Sequence, residues 1–487
     1  MQFKLLCIKI NLMTFNRNVF RAYDIRGLTE CPGAPINYYF AKSLGQVFVK
    51  KIKHPKPRII LSRDNRLSSP KLTAGLKAGL ATTHCEIFDL GEATSPYFYF
   101  CVCTGKFHGG IQITASHNGT EFNGFKLVLE NAQPFFGNDL QDLAREMESL
   151  SARQPQKVSI WPIDFVEEYY QKLHSACFGV NSTKAKAQTN HLPLKIAIDC
   201  GHGIAGRFAP AFFRRAGAEV VELLCEPDGR FPKGVPNPED HSSLKRLSQK
   251  VRKTGVDLGI AFDGDGDRLG AVDSRGQIIS AEQILILLAR ELLARRPRAE
   301  IICDLKTSDL VINEIERAGG RTLRHKTGHS FIKQKMHANQ SALAGETSGH
   351  FFFGADYFGF DDALLAAFKL AKISSHAKTN FCQILDDLPQ IFITPDHKIT
   401  VQDREKFALI EKIAQVCEQE FGTAKISRLD GVYVKLGNRE WILVRASNTN
   451  PQITLRLEAP SAKRLKQLQK KFNRILQQQV GLSFLKN

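Results

Sequence analysis

Short apolar runs ending in polar, glycine-rich turns recur along the chain. Examples are RIILSRDNR (58–66), GIQITASHNG (110–119), LKIAIDCGHG (194–203), VDLGIAFDGDGD (256–267) and AEIICDLKTS (299–308). Runs of this length without strict alternation predict strands buried on both faces. Between them PKLTAGLKAGLATT (70–83), AEQILILLARELLARR (281–296) and SDLVINEIERAGG (308–320) carry helical spacing. Strand, helix, strand repeated in this way predicts α/β layers with largely parallel strands. Polar groups at the C-terminal ends of such strands line the ligand crevice. The pattern changes after AKTNFCQILDDLPQ (377–390). There YVKLG (433–437), EWILVRAS (440–447) and ITLRLEA (453–459) read as successive strands, followed by a basic amphipathic helix, SAKRLKQLQKKFNRILQQQ (461–479).

Composition narrows the class. The 487 residues hold 43% hydrophobic and 24% charged side chains, a globular profile that excludes disorder, collagen and coiled coil as the main organisation. Lys plus Arg outnumber Asp plus Glu by 67 to 49, so the formal charge is +18 and anionic partners are favoured. Eleven cysteines without a CxxC pair argue against zinc ribbons and a disulfide framework and for a reducing cytoplasm. No apolar run is long enough for a transmembrane helix. The leading MQFKLLCIKINLM is interrupted by Lys9 and Asn11 and lacks a cleavage site, so it reads as a short extension and not as a signal peptide.

The chemistry concentrates in a few clusters. In DGDGDR, Asp263, Asp265 and Asp267 alternate with Gly264 and Gly266 after a strand. Glycines allow the tight path that brings three carboxylates around one point, and such a group needs a cation. All-oxygen ligation suits Mg²⁺. In ITASHNGTEFNGFKL, Ser116 follows an apolar run with His117 adjacent and Lys126 ten residues on. Adjacency makes His117 an unlikely triad base, and no G-x-S-x-G elbow surrounds the serine, so the pattern suits a phosphorylated hydroxyl or a simple turn. GETSGH (345–350) offers Glu346, Ser348 and His350 to sugar hydroxyls, or is a turn. RASNTNP offers Arg445, Ser447, Asn448 and Thr449 as a phosphate clamp, or is a solvated turn. GHGIAG (201–206) after KIAIDC, with Glu222 further on, matches a dinucleotide fingerprint. No P-loop occurs.

Taken in order, FRAYDIRG (20–27), TASHN, CGHGIAG, DGDGDR, KTGHS (326–330), GETSGH and RASNTNP resemble the α-D-phosphohexomutase superfamily, in particular its phosphomannomutase/phosphoglucomutase branch. The resemblance implies three related α/β domains with mixed sheets and a C-terminal α+β domain resembling the TATA-binding-protein fold, arranged around a central cleft. The expected divisions are an extension (1–19), domain I with the serine loop (20–160), domain II with the metal loop (161–277), domain III with the sugar loop (278–386) and domain IV with the phosphate loop (387–487). It also implies interconversion of hexose 6-phosphate and hexose 1-phosphate, mannose or glucose, through a phosphoserine and a bound hexose 1,6-bisphosphate. By motif position Ser116 carries the phosphoryl group, and Asp263, Asp265, Asp267 and a Ser116 oxygen hold Mg²⁺. Glu346, Ser348 and His350 read the sugar, while Arg445, Ser447, Asn448 and Thr449 clamp the non-reacting phosphate. Tyr23, Arg26, Lys126, Arg268, Lys306 and His329 take cleft positions for substrate or proton transfer.

Two departures stand out. Gly119 follows Asn118 where the family usually has proline, which predicts retained activity with a looser loop. His202 stands where asparagine is common. The alternatives are a phosphoglucosamine mutase and, from another class, an NAD-dependent oxidoreductase resting on GHGIAG. A nucleic-acid-binding protein is not favoured: ten of the eighteen excess charges lie in residues 1–19 and 461–487, and no recognition motif accompanies them. A cytoplasmic monomer or weak oligomer acting on phosphosugars, with no nucleic-acid or membrane partner, is expected.

Overall fold

The computed structural model describes residues 16–29, 31–150, 158–179, 191–377, 381–447 and 451–485. The N-terminal stretch read as an extension lies mostly outside them, as do Asn448 and Thr449. Within the described part, Val19 is already buried and packs with Ile25 and Ile36, so the first domain's core begins there.

Four sheets follow one another along the chain. The first contains β1 (Ile25–Leu28), β2 (Arg58–Arg63), β3 (Glu86–Glu92), β4 (Gly109–Ile113), β5 (Phe122–Leu129) and β6 (Ile160–Pro162), in the order β1-β5-β4-β2-β3-β6. The second contains β7 (Lys195–Asp199), β8 (Glu219–Leu223), β9 (Leu258–Phe262), β10 (Leu269–Asp273) and β11 (Ile278–Ile279), ordered β11-β10-β9-β7-β8. The third contains β12 (Glu300–Asp304), β13 (Arg321–His325), β14 (Leu343–Gly345) and β15 (Phe351–Phe353), ordered β13-β12-β14-β15. β6, which sequence placed at the 160/161 division, pairs with β3 and so belongs to the first sheet.

One wiring repeats three times. A central strand (β2, β7, β12) is flanked in parallel by the second strand of its unit and by the third. A fourth strand then returns antiparallel beside the third. Each sheet is therefore mixed, with a parallel core and one hairpin. The apolar runs that predicted buried strands are those central and third strands, covered by helices on both faces as parallel sheets require. The predicted helices form at Ser69–Leu80, Ala281–Leu293 and Asp309–Arg317. The second of these starts in a capping box formed by Ser280 and Gln283.

The fourth sheet is antiparallel throughout: β16 (His397–Thr400), β17 (Ile426–Ser427), β18 (Val432–Gly437), β19 (Glu440–Ala446) and β20 (Gln452–Glu458), ordered β16-β20-β19-β18-β17. Helices Lys406–Phe421 and Ala462–Val480 cover it through Ile413, Cys417, Leu468, Phe472 and Leu476, a core separate from that of the first three units. Among the described residues no helix is long and apolar enough to cross a membrane.

Candidate active site

The repeated wiring places three loops at equivalent positions, each between the third strand and its antiparallel return. They are residues 114–121 after β4, 263–268 after β9 and 346–350 after β14. The three motif clusters read from the sequence are these loops. They converge in space, and Arg445, Ser447 and Gln452 of the fourth domain line the same cleft.

Ser116 sits in the left-handed region, with φ +52°. Such a conformation is uncommon for a residue with a Cβ and persists only where its surroundings hold it. Its Oγ donates to Asp263 Oδ2 at 2.9 Å, across the domain I–II boundary. His117 Nδ1 lies 3.1 Å from the same oxygen. Adjacency argued against His117 as a triad base; with Ser116 in a left-handed turn the next side chain nonetheless touches its hydroxyl. Among the described residues no carboxylate hydrogen-bonds the His117 ring, so no triad forms; burial, Arg268 and Arg26 together hold its pKa well below the usual histidine range. A carboxylate orienting the ring would do the opposite.

The metal loop packs directly beneath the serine. A Cβ on Gly264 would collide with the Ser116 carbonyl, so glycine is required there by close approach. Asp263, Asp265 and Asp267 present carboxylate oxygens within 4.8 Å of one another, all buried. Lys126, on β5, reaches the cluster from behind: Nζ donates to Asp265 Oδ2 and Asp267 Oδ2, both at 2.6 Å, and to Ser95 Oγ at 3.2 Å. Ser95 in turn donates to Asp265 Oδ2 at 2.6 Å. Burial disfavours charge on the lysine, but Asp265 and Asp267 outweigh it and raise its pKa well above the ordinary value. Burial and the two neighbouring carboxylates push Asp263 well up, while Asp267, despite its burial, is held well down by Lys126 and His350.

One ammonium does not satisfy three carboxylates. Among the described residues Asp265 Oδ1 is buried without a hydrogen-bond partner, and Asp267 Oδ1 has only His350 Nε2 at 3.3 Å, poorly aligned. This donor set, all oxygen and partly orphaned beside the Ser116 hydroxyl, fits a hard divalent cation.

The cleft above is polar, with a cavity of about 120 Å³. Arg26, Arg268, Lys306, Lys398 and Arg445 give its walls a basic character against Glu239, Glu346 and Asp396. Arg26 is aimed by Asp24 (2.7 Å) and bonds Asn118 Oδ1 (2.7 Å) in the serine loop. Arg268 is nearly buried, and its Nε and Nη1 lack hydrogen-bond partners among the described residues. Lys306 Nζ lies 3.2 Å from Asp396. Glu346 Oε1 accepts from the Gly328 amide at 2.6 Å, which fixes one carboxylate oxygen and ties the sugar loop to the KTGHS turn.

His350 is clamped between Asp267, Glu346 (3.2 Å to Nδ1) and Ser348 (2.9 Å). Burial opposes its charge, but the two carboxylates raise its pKa to about 10, so it is a fixed cation at neutral pH. His329 is the reverse. Burial, Lys333 and Lys126 hold it well below the usual range, and neither ring nitrogen has a hydrogen-bond partner among the described residues. Tyr23 meets its ring edge-on, with centroids 4.9 Å apart.

The structure therefore gathers Ser116, Lys126, Arg26, Arg268, Tyr23, Lys306, His329, Glu346, Ser348, His350, Arg445, Ser447 and the three aspartates around one site. Lys126 is placed against the carboxylates and not on the open cleft. Asn448 and Thr449 lie outside the described residues. Sequence reading missed His117, Ser95, Glu239, Asp396, Lys398 and Asp430. Asp430 bonds both Arg445 Nε (2.9 Å) and the Thr327 amide (3.0 Å), joining the third and fourth domains. Apart from His117, noticed and set aside, these lie in segments without a motif and become visible only once the domains meet.

The GHGIAG match finds a different use. Gly206 abuts the Cys225 carbonyl and Gly203 the Gly264 carbonyl, so these glycines serve packing against the metal loop. Glu222, the expected ribose ligand, is engaged with Arg214 at 2.5 Å.

A serine set against a carboxylate cluster under a basic cleft has the make-up of a phosphoryl-transfer site. Family comparison gives the same class in finer detail. The chain matches the phosphoglucomutase/phosphomannomutase alpha/beta/alpha domain I at residues 17–154, domain II at 167–276, domain III at 280–392 and the C-terminal domain at 397–475. It is 36% identical over 460 residues to the phosphomannomutase/phosphoglucomutase of Pseudomonas aeruginosa, covering 94% of this chain and 95% of that one. It is 35% identical to a phosphoglucomutase of Neisseria gonorrhoeae, covering 96% and 98%. A phosphoglucomutase/phosphomannomutase family protein from Burkholderia thailandensis superposes with a TM-score of 0.84 at 32% identity, covering 95% of this chain and 98% of that one. The chain belongs to the phosphoglucomutase/phosphomannomutase family and is a mutase, an isomerase acting by phosphoryl transfer.

Proposed function

We propose that this mutase interconverts the 6-phosphate and 1-phosphate of mannose and of glucose, with the transferable phosphoryl group carried on Ser116. The observation that carries this reading is Ser116 Oγ held 2.9 Å from Asp263, at the floor of a basic cleft.

Arg445 and Ser447, with Asn448 and Thr449 following, clamp the phosphate that does not react. Glu346 and Ser348 read the sugar hydroxyls, with His350 fixing both side chains. The free hydroxyl oxygen attacks the phosphorus on Ser116: the new sugar O–P bond forms as the serine O–P bond breaks. The hydroxyl proton passes to His329, a buried neutral base whose ring nitrogens are uncommitted. Lys126, Arg268 and Arg26 hold positive charge around the transferring group, where phosphoryl transfer needs it. Asp263, Asp265, Asp267 and an oxygen on Ser116 would hold Mg²⁺, which when bound would supply Lewis-acid stabilisation of that charge. The hexose 1,6-bisphosphate then turns about in the cleft and returns its other phosphoryl group to Ser116.

Ten cysteines among the described residues are free thiols, which supports a reducing, cytoplasmic setting for an enzyme that is a monomer or weak oligomer. The test compares kcat/KM for mannose, glucose and glucosamine 1-phosphates with Mg²⁺ and trace hexose 1,6-bisphosphate. Turnover of the first two, with glucosamine 1-phosphate poorer and Ser116→Ala inactive, is expected. Preference for glucosamine 1-phosphate would transfer the assignment to the glucosamine branch.

A further inference from the structure

Gly119 replaces the proline that would stiffen the serine loop, yet Ser116 stands in a left-handed conformation that the loop must maintain. The brace comes from outside the loop. Arg66, three residues past the end of β2, is only 2% exposed and points its guanidinium into the concave side of the turn. Nη2 donates to the carbonyls of Ser116 (2.8 Å) and Asn118 (2.7 Å). Nη1 donates to those of Gly119 (2.7 Å) and Phe122 (3.1 Å). Nε donates to Asp64 Oδ2 at 3.1 Å, which sets the plane of the fork. All five donors of one arginine are thereby used, four of them on main-chain carbonyls of the loop that carries the reacting serine.

The same guanidinium lies over the ring of Phe231 in the second domain, 5.5 Å from its centroid. The neighbouring Asn65 donates to the His202 carbonyl at 2.9 Å. The segment that shapes the serine loop is thus docked on the domain that supplies the metal loop. Arg66 touches no open part of the cleft and none of the reacting atoms.

We propose that Arg66 is the positioning residue of the serine loop, holding the Ser116 carbonyl so that the hydroxyl stays against Asp263, in the role that proline at 119 would share. The proposal rests on the mutase reading for its activity consequence but not for its structural one. Lysine keeps the charge yet has neither the planar fork nor five donors, so it cannot replace this arginine.

The experiment uses the full chain as wild type, Arg66→Lys, Gly119→Pro and the double variant. It measures kcat and KM for glucose 1-phosphate and hydrogen exchange over residues 115–122. Arg66→Lys is expected to lower kcat about 100-fold, the scale of a misplacement near 1 Å, with KM within about threefold. Exchange should accelerate over 115–122 and stay at wild-type rates in the second, third and fourth domains. Proline keeps the Gly119 carbonyl, and a Cβ there meets mainly the movable Glu121 carboxylate. The double variant should therefore recover about tenfold in kcat and part of the loop's protection.

A folded Arg66→Lys with kcat within threefold of wild type would overturn the proposal. So would unchanged exchange over 115–122, or a double variant that regains thermal stability without regaining kcat. If the wild type isomerises no hexose phosphate, the mutase reading fails, and the exchange comparison alone still decides whether Arg66 braces the loop.

Discussion

The serine loop and the metal loop occupy the same place in successive repeats of one wiring, yet they are held by opposite means. Residues 263–268 brace themselves. Asp263 Oδ1 accepts the amides of Asp267 (3.1 Å) and Arg268 (3.2 Å), and its carbonyl accepts Gly266 N at 3.2 Å. A carboxylate at the end of β9 can therefore close a six-residue turn and still offer its other oxygen to Ser116. The internal ties of the serine loop lie within residues 114–118: Ser116 N to Thr114 Oγ1 (2.9 Å), Asn118 N to the Ala115 carbonyl (3.0 Å) and Ser116 Oγ with His117 Nδ1 (3.1 Å). The carbonyls of Ser116, Asn118, Gly119 and Phe122 are gathered by Arg66. The lesson is that a fold can reuse one loop position for two chemistries when the less self-sufficient loop is held by a neighbouring strand end.

The comparison breaks most severely at the metal loop. Asp265→Asn is expected to lower kcat by about 10³-fold, the scale of losing a charged stabiliser of the transition state. Calorimetric titration with Mg²⁺ should show the matching loss of affinity, and retained affinity with full activity would remove Asp265 from the site. Gly264→Ala tests the contact between the loops. Its Cβ collides with the Ser116 carbonyl, and kcat should fall about 100-fold while Mg²⁺ affinity changes little. Ser95→Ala removes a support behind Asp265. Metal affinity should drop about 10-fold, readable by the same titration. Gly119→Pro alone sharpens the account from the other side: kcat within threefold and slower exchange over residues 115–122.

The smallest effect on turnover belongs to Asp362, a buried carboxylate outside both loops. Burial raises its pKa to about 6, partly offset by bonds from Leu365 N, Tyr357 and Tyr169. Its folded pKa thus lies above the unfolded value near 4, so the folded state binds the proton more tightly. Stability should fall by about 3 kcal/mol as pH rises from 4 to 6 and then level off. Asp362→Asn should flatten that slope in thermal melts at unchanged kcat. An unaltered slope would show that Asp362 is not its source.

Much of this arrangement was legible in the chain. Strands β2, β4, β7, β9 and β12 appeared as short apolar runs because both faces are covered, and DGDGDR announced itself because its carboxylates and glycines are contiguous. What could not be read depends on residues brought together from different domains. Arg66 stood only at the polar end of the RIILSRDNR run, and Ser95 and Asp430 belonged to no motif. Lys126 was found by position, but its placement between Asp265 and Asp267 follows only once β5 lies against the second domain. His117 was set aside as a triad base because of its adjacency, and its contact with Ser116 Oγ follows only from the φ of +52° at Ser116.

The central claim is that Ser116 carries the transferable phosphoryl group. The most direct measurement is phosphopeptide mapping of the enzyme after turnover with hexose 1,6-bisphosphate labelled in its phosphates. The account predicts label on the peptide containing Ser116 and its discharge onto added glucose 1-phosphate. Active enzyme with no label there, or with label on another residue, would contradict it.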